Sequence, residues 1–156
     1  MIKESINKQI AEALKAKDQV RLSTLRMLSS ALNYELIAKQ HDLSEEEEIV
    51  VVRREAKKRQ DAIESLRLAK GKKLNVQTES VEERLAREEK ELEILREYLP
   101  AQMADSDLLK IVDEVIAESG AEGLSDMGKV IGMVMKKAES RADGSKVSEL
   151  VKGKLN

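Results

Sequence analysis

The sequence predicts an all-α protein with two helical subdomains, an N-terminal bundle of long helices and a C-terminal three-helix bundle. Apolar residues recur at helical spacing through most of the 156 residues, and no β-type alternation of useful length appears. The chain has one proline, Pro100, so almost nothing interrupts a helix elsewhere. Aromatic residues make up only 1% of the chain, which leaves aliphatic side chains to fill the core between packed helices.

Four helices are expected before Pro100. Capping boxes mark the starts of the third and fourth, Ser44 with Glu47 and Ser80 with Glu83. We expect the third helix to reach Gly71, a loop over residues 71–78, and the fourth helix to end at Pro100, because proline disfavours helical geometry in the residue before it. The apolar stripes of the four helices are Ile2, Ile6, Ile10 and Leu14; Leu22, Leu25, Leu28, Leu32 and Leu36; Ile49, Val52, Ala56, Ile63 and Leu66; and Val81, Leu85, Leu92, Leu95 and Leu99.

Three shorter helices are expected after Pro100. We place the subdomain boundary there, with an N-terminal subdomain at 1–99 and a C-terminal one at 100–156. Ser125 is the expected start of the middle helix, and Asp143 with Gly144 forms the turn before the last one. The three apolar stripes are Leu108, Ile111, Val112, Val115 and Ile116; Met127, Val130, Ile131, Val134 and Ala138; and Val147, Leu150, Val151 and Leu155.

The residues available for chemistry are few. The chain has no cysteine and a single histidine, His41, so neither a metal cluster nor a nucleophile–base pair can be recognised. The carboxylates at 45–48 and 88–93 are interpreted as exposed helix surface. We therefore expect no catalytic residue, metal or cofactor. No apolar run is long enough to cross a membrane and no leader precedes the first helix, so we expect no membrane contact and a cytoplasmic location.

Charge is distributed unevenly along a chain whose net charge is −2. Residues 53–73 carry nine Lys/Arg against three acids, and residues 127–156 carry seven against three, whereas residues 101–126 carry one Lys against seven acids. Solvated helix faces are the commonest explanation of such runs. Two basic stretches in a nearly neutral chain also leave room for a phosphate-binding surface.

A sequence resembling a nucleotide-binding loop occurs at 123–129, GLSDMGK. Val130 stands where a Ser or Thr would bind Mg²⁺, and no strand is expected before the loop, so we do not interpret it as a nucleotide site. A weaker possibility stays open: the helix beginning at Ser125 has free N–H groups, and Lys129 lies one turn in, which suits a phosphate oxygen.

Two glycines, Gly128 and Gly132, lie four residues apart in the same helix. Glycine within a helix is about 1 kcal/mol less favourable than alanine, so the pair suggests that another backbone approaches the helix closely at this face. A neighbouring helix is the favoured interpretation, and an RNA backbone is the alternative. The cations around this helix and the turn after it are the candidate RNA-binding residues: Lys129, Lys136, Lys137, Arg141 and Lys146.

Four segments together resemble the YqeY-like family: residues 18–28 (DQVRLSTLRML), 97–100 (EYLP), 127–132 (MGKVIG) and 141–144 (RADG). Their order and spacing match over essentially the whole chain. The part from about residue 100 onward is also similar to the tail domain of GatB, a subunit of the tRNA-dependent amidotransferase, most closely at 132–137. One departure is Ser140, where the family usually has glycine, which predicts a looser turn before Arg141.

The resemblance implies an all-helical fold and a noncatalytic role in binding tRNA or another RNA, because the amidotransferase tail contacts the tRNA elbow and does no chemistry. The family is often labelled as a carbon–nitrogen ligase with glutamine as amido donor, but the catalytic domain of GatB and its amidase partner have no counterpart in this chain. Two alternatives stay open. One is an accessory factor in such a ligase reaction, and the other is a protein–protein adaptor that docks on translation or amidotransferase machinery through the acidic helix at 105–118.

Overall fold

A computed structural model describes residues 1–69, 80–139 and 141–156, and every regular element in these ranges is helical. The all-α prediction is confirmed.

The chain divides into two compact units, Met1–Leu99 and Pro100–Asn156. Within the described ranges, no helix combines the length and apolar character needed to cross a membrane. The expected loop at 71–78, the last residues of the expected third helix and the turn at Ser140 lie outside the described residues.

The first unit contains helices α1 (Ile2–Lys15), α2 (Gln19–Lys39), α3 (Glu45–Leu68) and α4 (Val81–Arg96). Both predicted capping boxes are present: Ser44 and Glu47 exchange side-chain and backbone hydrogen bonds at the start of α3, and Ser80 and Glu83 do so at the start of α4. Each box satisfies N–H groups that a helix start leaves free, which explains why these helices begin at these residues.

The core of the first unit is almost purely aliphatic, as the lack of aromatic residues requires. Leu25, Leu28 and Leu32 of α2 are essentially inaccessible and pack with Ile6 of α1 and Leu95 of α4. The three leucines lie three, four and seven residues apart, so α2 turns a single apolar stripe toward the core.

The predicted stripes account for most of this packing. Leu14 is the exception: it is 54% exposed, because steps of four residues advance about 40° around a helix and carry the row off the buried face. Val51, which lies outside the predicted α3 stripe, is fully buried.

Glu48 of α3 is fully buried, which contradicts its interpretation as exposed helix surface. Its carboxylate accepts hydrogen bonds from the backbone N–H groups of Ile2, at 2.6 Å, and Lys3, at 3.1 Å. These amides belong to the first turn of α1, where N–H groups lack partners within the helix and the helix dipole favours negative charge. Glu48 therefore caps α1 from a different helix.

Glu88 and Glu91 of α4 are also buried, against the same expectation. Arg59 of α3 lies between them, with Nη1 3.2 Å from Glu88 Oε2 and Nε 3.0 Å from Glu91 Oε2. The Nε–H group of Arg59 is close to the Glu91 oxygen but has no hydrogen bond with suitable geometry, so this second contact is electrostatic. Two carboxylates of α4 that were expected to face solvent thus form ion pairs with an arginine of α3.

The segments 18–28 and 97–100 meet at the end of α4. Arg21 donates two hydrogen bonds to the carboxylate of Glu97, at 3.0 and 2.8 Å, and Tyr98 donates one to the side chain of Gln9. The Arg21 hydrogen bond lowers the pKa of Glu97, and burial raises the pKa of Tyr98. Helix α4 itself ends at Arg96, earlier than expected, because the Tyr98 and Leu99 amides bond to carbonyls three residues back and tighten the chain before Pro100.

The second unit contains α5 (Asp105–Ser119), a single 3-10 turn (Leu124–Asp126), α6 (Met127–Lys137) and α7 (Gly144–Leu155). Its core is separate and consists of small aliphatic residues, with Val112 and Val115 from α5, Val130 and Val134 from α6, and Val147 from α7 all fully buried. Within this unit, the backbone N–H of Met103 donates to the carbonyl of Arg141 at 2.8 Å, which ties the segment before α5 to the turn before α7.

Candidate nucleic-acid interface

Helix α6 presents a buried and an exposed face. Val130 and Val134 point into the core of the second unit, whereas Gly128, Lys129 and Lys136 are exposed. Lys129, Gly132 and Lys136 are spaced at i, i+3 and i+7, so they share one outward face of the helix. The fold thus brings both glycines and two of the predicted cations onto the same exposed surface.

The two glycines do not mark a contact with a neighbouring helix, so the favoured interpretation of their spacing is wrong for the described residues. Gly128 and Gly132 are exposed, and a Cβ atom built on either would meet no other atom within 4 Å. Without side chains, the backbone of α6 is uncovered along this face. A second molecule can approach the helix backbone there more closely than at any residue with a Cβ.

Arg141 follows α6 and is exposed, while its backbone carbonyl is held by Met103. Arg141 also lines an open groove of about 480 Å³, whose other residues include Asp107, Lys110 and Glu114. Two residues on, Asp143 begins α7 by accepting a hydrogen bond from the Ser145 N–H at 2.8 Å, and Gly144 is the first residue of that helix. Arg141 therefore lies between a backbone hydrogen bond to Met103 and the capped start of α7.

The five predicted cations do not form one patch, because α5 neutralises two of them. Lys137 Nζ lies 2.8 Å from Glu118 Oε1 and 3.8 Å from Glu114 Oε2, and its pKa is raised, chiefly by the hydrogen bond to Glu118. Lys146 Nζ lies 3.4 Å from Asp105 Oδ2. The acidic and basic stretches of this unit are thus partly explained by pairing between α5 and the later helices.

Three of the five cations are not compensated in this way. Lys129, Lys136 and Arg141 make no ion pair with any residue in the described ranges. Because their charges are exposed and available, these three are the members of the predicted set that suit phosphate contacts.

The start of α6 is less suited to a phosphate than its sequence suggests. Helix α6 begins at Met127, after the 3-10 turn, so Ser125 does not cap it. The residue at the cap position is Asp126, whose carboxylate accepts a hydrogen bond from the Glu122 N–H at 3.2 Å. A carboxylate at this position repels a phosphate, and its own negative charge offsets the positive end of the helix dipole that would attract one.

The basic stretch at 53–73 is a different kind of surface. Arg54 pairs with Glu35 of α2 at 3.0 Å, Arg67 pairs with Glu89 of α4 at 2.9 Å, and Arg59 is the half-buried cation between α3 and α4. Its cations at residues 70–73 lie outside the described residues. Pairing between helices, which the sequence alone does not reveal, accounts for much of this positive charge.

The described residues contain no group of three or more His, Asp or Glu side chains that could hold a metal ion. The ring of His41 lies in the exposed turn between α2 and α3, where Nδ1 is 2.8 Å from the Asp42 carbonyl and Nε2 is 3.6 Å from Glu47. These are the contacts of a surface histidine.

Fold and surface together define an all-α protein of two helical units whose second unit exposes cations beside an uncovered helix backbone. The chain belongs to the YqeY-like family, because the family model described as Yqey-like protein matches residues 3–155, nearly its whole length. No curated protein matches the chain closely enough to serve as a relative.

Proposed function

We propose that the protein is a noncatalytic module that binds tRNA or another folded RNA through its second unit. The observation that carries this proposal is the exposure of Lys129, Lys136 and Arg141 without ion pairs among the described residues, beside the glycine face of α6. Lysine and arginine contacts to phosphates supply most of the affinity of such surfaces. The resemblance of this unit to the amidotransferase tail supports tRNA as the RNA to test first. We accordingly expect the protein to act in the cytoplasm.

The mode of recognition follows from which side chains are available. The chain has two tyrosines and no Phe or Trp, and both tyrosines lie in the first unit. Stacking of unpaired bases on aromatic rings is therefore not available in the second unit. Recognition would rest on the shape and backbone of a folded RNA, with its phosphates near the three cations and its backbone close to Gly128 and Gly132.

The decisive measurement is a titration of unmodified tRNA by the full chain at several salt concentrations. Combined reversal of charge at Lys129, Lys136 and Arg141 should weaken binding at least tenfold. It should also reduce the slope of log K against log salt by up to about 0.9 for each phosphate that the variant no longer neutralises. Lys137 and Lys146 are left intact, because reversing either charge would place an acid against an acid of α5.

The matched control reverses Lys8, Lys15 and Arg26, which are exposed in the first unit and make no ion pair with the described residues. This variant has the same net charge, so a loss equal to that of the test variant would mean that binding follows overall charge. If the unmodified protein fails to bind tRNA at low salt, where attraction is strongest, the RNA proposal is wrong and the adaptor alternative replaces it.

A further inference from the structure

Helix α5 is the acidic helix of the second unit, with five acids and one lysine, and its acids face lysines of the other two helices. Three lysines of α6 and α7 each form an ion pair with it: Lys137 with Glu118 at 2.8 Å, Lys146 with Asp105 at 3.4 Å and Lys154 with Asp113 at 3.0 Å. The acidic residues that suggest an adaptor in the sequence therefore pair in large part with cations of the same unit.

The acids around Lys137 outnumber it. Glu114 Oε2 lies 3.8 Å from Lys137 Nζ in addition to the closer Glu118, so two carboxylates surround one ammonium group and the cluster is negative overall. Lys137 directly follows Lys136, which makes no ion pair with any residue in the described ranges. Because like charges repel, a phosphate bound at Lys136 would have this negative cluster beside it. The side of α6 that faces α5 is thus unfavourable for RNA.

The position of Glu118 within its own helix is unfavourable. It lies in the last turn of α5, which contains no basic residue, and the dipole of a helix disfavours negative charge at this end. Lys137 lies in the last turn of α6, where the dipole favours a cation. The energetics of α5 alone therefore do not explain an acid at residue 118, whereas its contact with Lys137 does.

Glu114 connects Lys137 to the groove that Arg141 lines. Its carboxylate contacts Lys137, and the residue also lines that groove together with Asp107 and Lys110. Lys110 Nζ lies 3.9 Å from Asp107 Oδ1, so these two charges offset each other. Glu114 is thus an acid that borders both Lys137 and the groove of Arg141.

We propose that Glu114 and Glu118 regulate the RNA-binding surface by keeping Lys137 neutralised, so that Lys137 is a latent phosphate contact. This inference rests on the proposed RNA function and adds the residues that limit its strength. RNA then binds along the side of α6 that carries Lys129 and Lys136, since a phosphate reaches Lys137 only by replacing the carboxylates. Exposed ion pairs are weak enough for such an exchange, so the two glutamates lower the affinity for RNA without abolishing it.

The test titrates unmodified tRNA with the full chain and with the double variant Glu114→Gln/Glu118→Gln. The double variant should bind about fivefold more tightly at about 50 mM salt, and its slope of log K against log salt should steepen by up to about 0.9, because Lys137 then neutralises one more phosphate. The matched control is Glu122→Gln/Glu149→Gln, which changes the net charge equally at two exposed acids of the same unit that make no ion pair with the described residues. The control should leave the slope unchanged.

The substitution Lys137→Gln separates a local effect from long-range attraction. We expect it to change the affinity for tRNA by less than about twofold in the wild type but to remove most of the gain in the double variant. A purely long-range effect of charge would give this substitution the same effect in both backgrounds. A second measurement does not involve RNA: the hydrogen bond to Glu118 is the main cause of the raised pKa of Lys137, so NMR titration should find a lower pKa in the double variant.

The outcomes keep this proposal separate from the proposed function. If neither the wild type nor the double variant binds tRNA at low salt, both proposals are wrong. If the wild type binds and the double variant binds no more tightly, or if the control variant shows an equal gain, only the regulatory role of the two glutamates is wrong. Equal effects of Lys137→Gln in the two backgrounds would overturn that role as well. The substituted side chains are exposed, so all variants should unfold at the wild-type temperature.

Discussion

At the scale of single residues, the buried carboxylate of Glu48 has a role that its neighbours in sequence do not share. Glu45 and Glu46 in the first turn of α3 are exposed and interact favourably with the dipole of their own helix. Glu48 instead accepts the Ile2 and Lys3 amides of α1. Removing it would leave those partly buried N–H groups without their acceptor.

We predict that Glu48→Ala lowers the free energy of unfolding by about 2 kcal/mol, because it removes the acceptor of two partly buried N–H groups. Urea unfolding followed by circular dichroism measures it. Glu46→Ala is the control, because Glu46 is exposed, and it should change stability by no more than about 0.5 kcal/mol. Faster amide exchange in α1 of the Glu48 variant would support the capping role. Equal effects of the two substitutions would contradict it.

At the scale of helices, α3 and α4 are joined by charges as well as by apolar contacts. Arg59 has little exposed surface, and the carboxylates of Glu88 and Glu91 on either side of it are buried. Burying one cation between two acids is favourable only while all three are present, since either partner alone would be a charge removed from water. The arrangement favours one register of α3 against α4.

Accordingly, Arg59→Met should cost about 3 kcal/mol of unfolding free energy, because it leaves Glu88 without its cation and Glu91 with the longer contact to Arg87, at 3.9 Å. Adding Glu88→Met and Glu91→Met should recover most of the loss. Arg67→Met is the matched control on the same helix: its pair with Glu89 is exposed, so the loss should stay below about 1 kcal/mol. Similar losses for Arg59→Met and Arg67→Met in urea unfolding would show that the buried cluster contributes no more than a surface pair.

At the scale of the whole molecule, each unit has its own apolar cluster, one centred on the leucines of α2 and the other on the valines of α5, α6 and α7. We predict that the fragment 100–156 retains helical circular dichroism and a cooperative thermal transition, although a chain of this length is only marginally stable by itself. The fragment 1–99 is the companion measurement. If 100–156 is an unfolded coil while the full chain folds, residue 100 marks a turn and not a boundary between subdomains.

The sequence by itself determined the helical class, the apolar stripes apart from the exposed Leu14, and the capping boxes at Ser44 and Ser80. All of these depend on interactions between residues close together in the chain, which spacing reports directly. It also identified the segments that show membership of the YqeY-like family. The five candidate cations were also predicted from the sequence, but the sequence did not separate those that form ion pairs from those that do not.

Only the tertiary structure decided which charges are solvated, which are buried and which are paired. Glu48, Glu88 and Glu91 carry the same signal in sequence as their exposed neighbours, and their burial depends on where α1 and α3 pack. Lys137 and Lys129 likewise look alike in the sequence, but only Lys137 forms an ion pair with α5. Partners in an ion pair are set by which helix faces meet, and that arrangement comes from residues far apart in the chain. Helical periodicity gives the face of the helix on which a residue lies, but it does not give which residues of a neighbouring helix pack against that face.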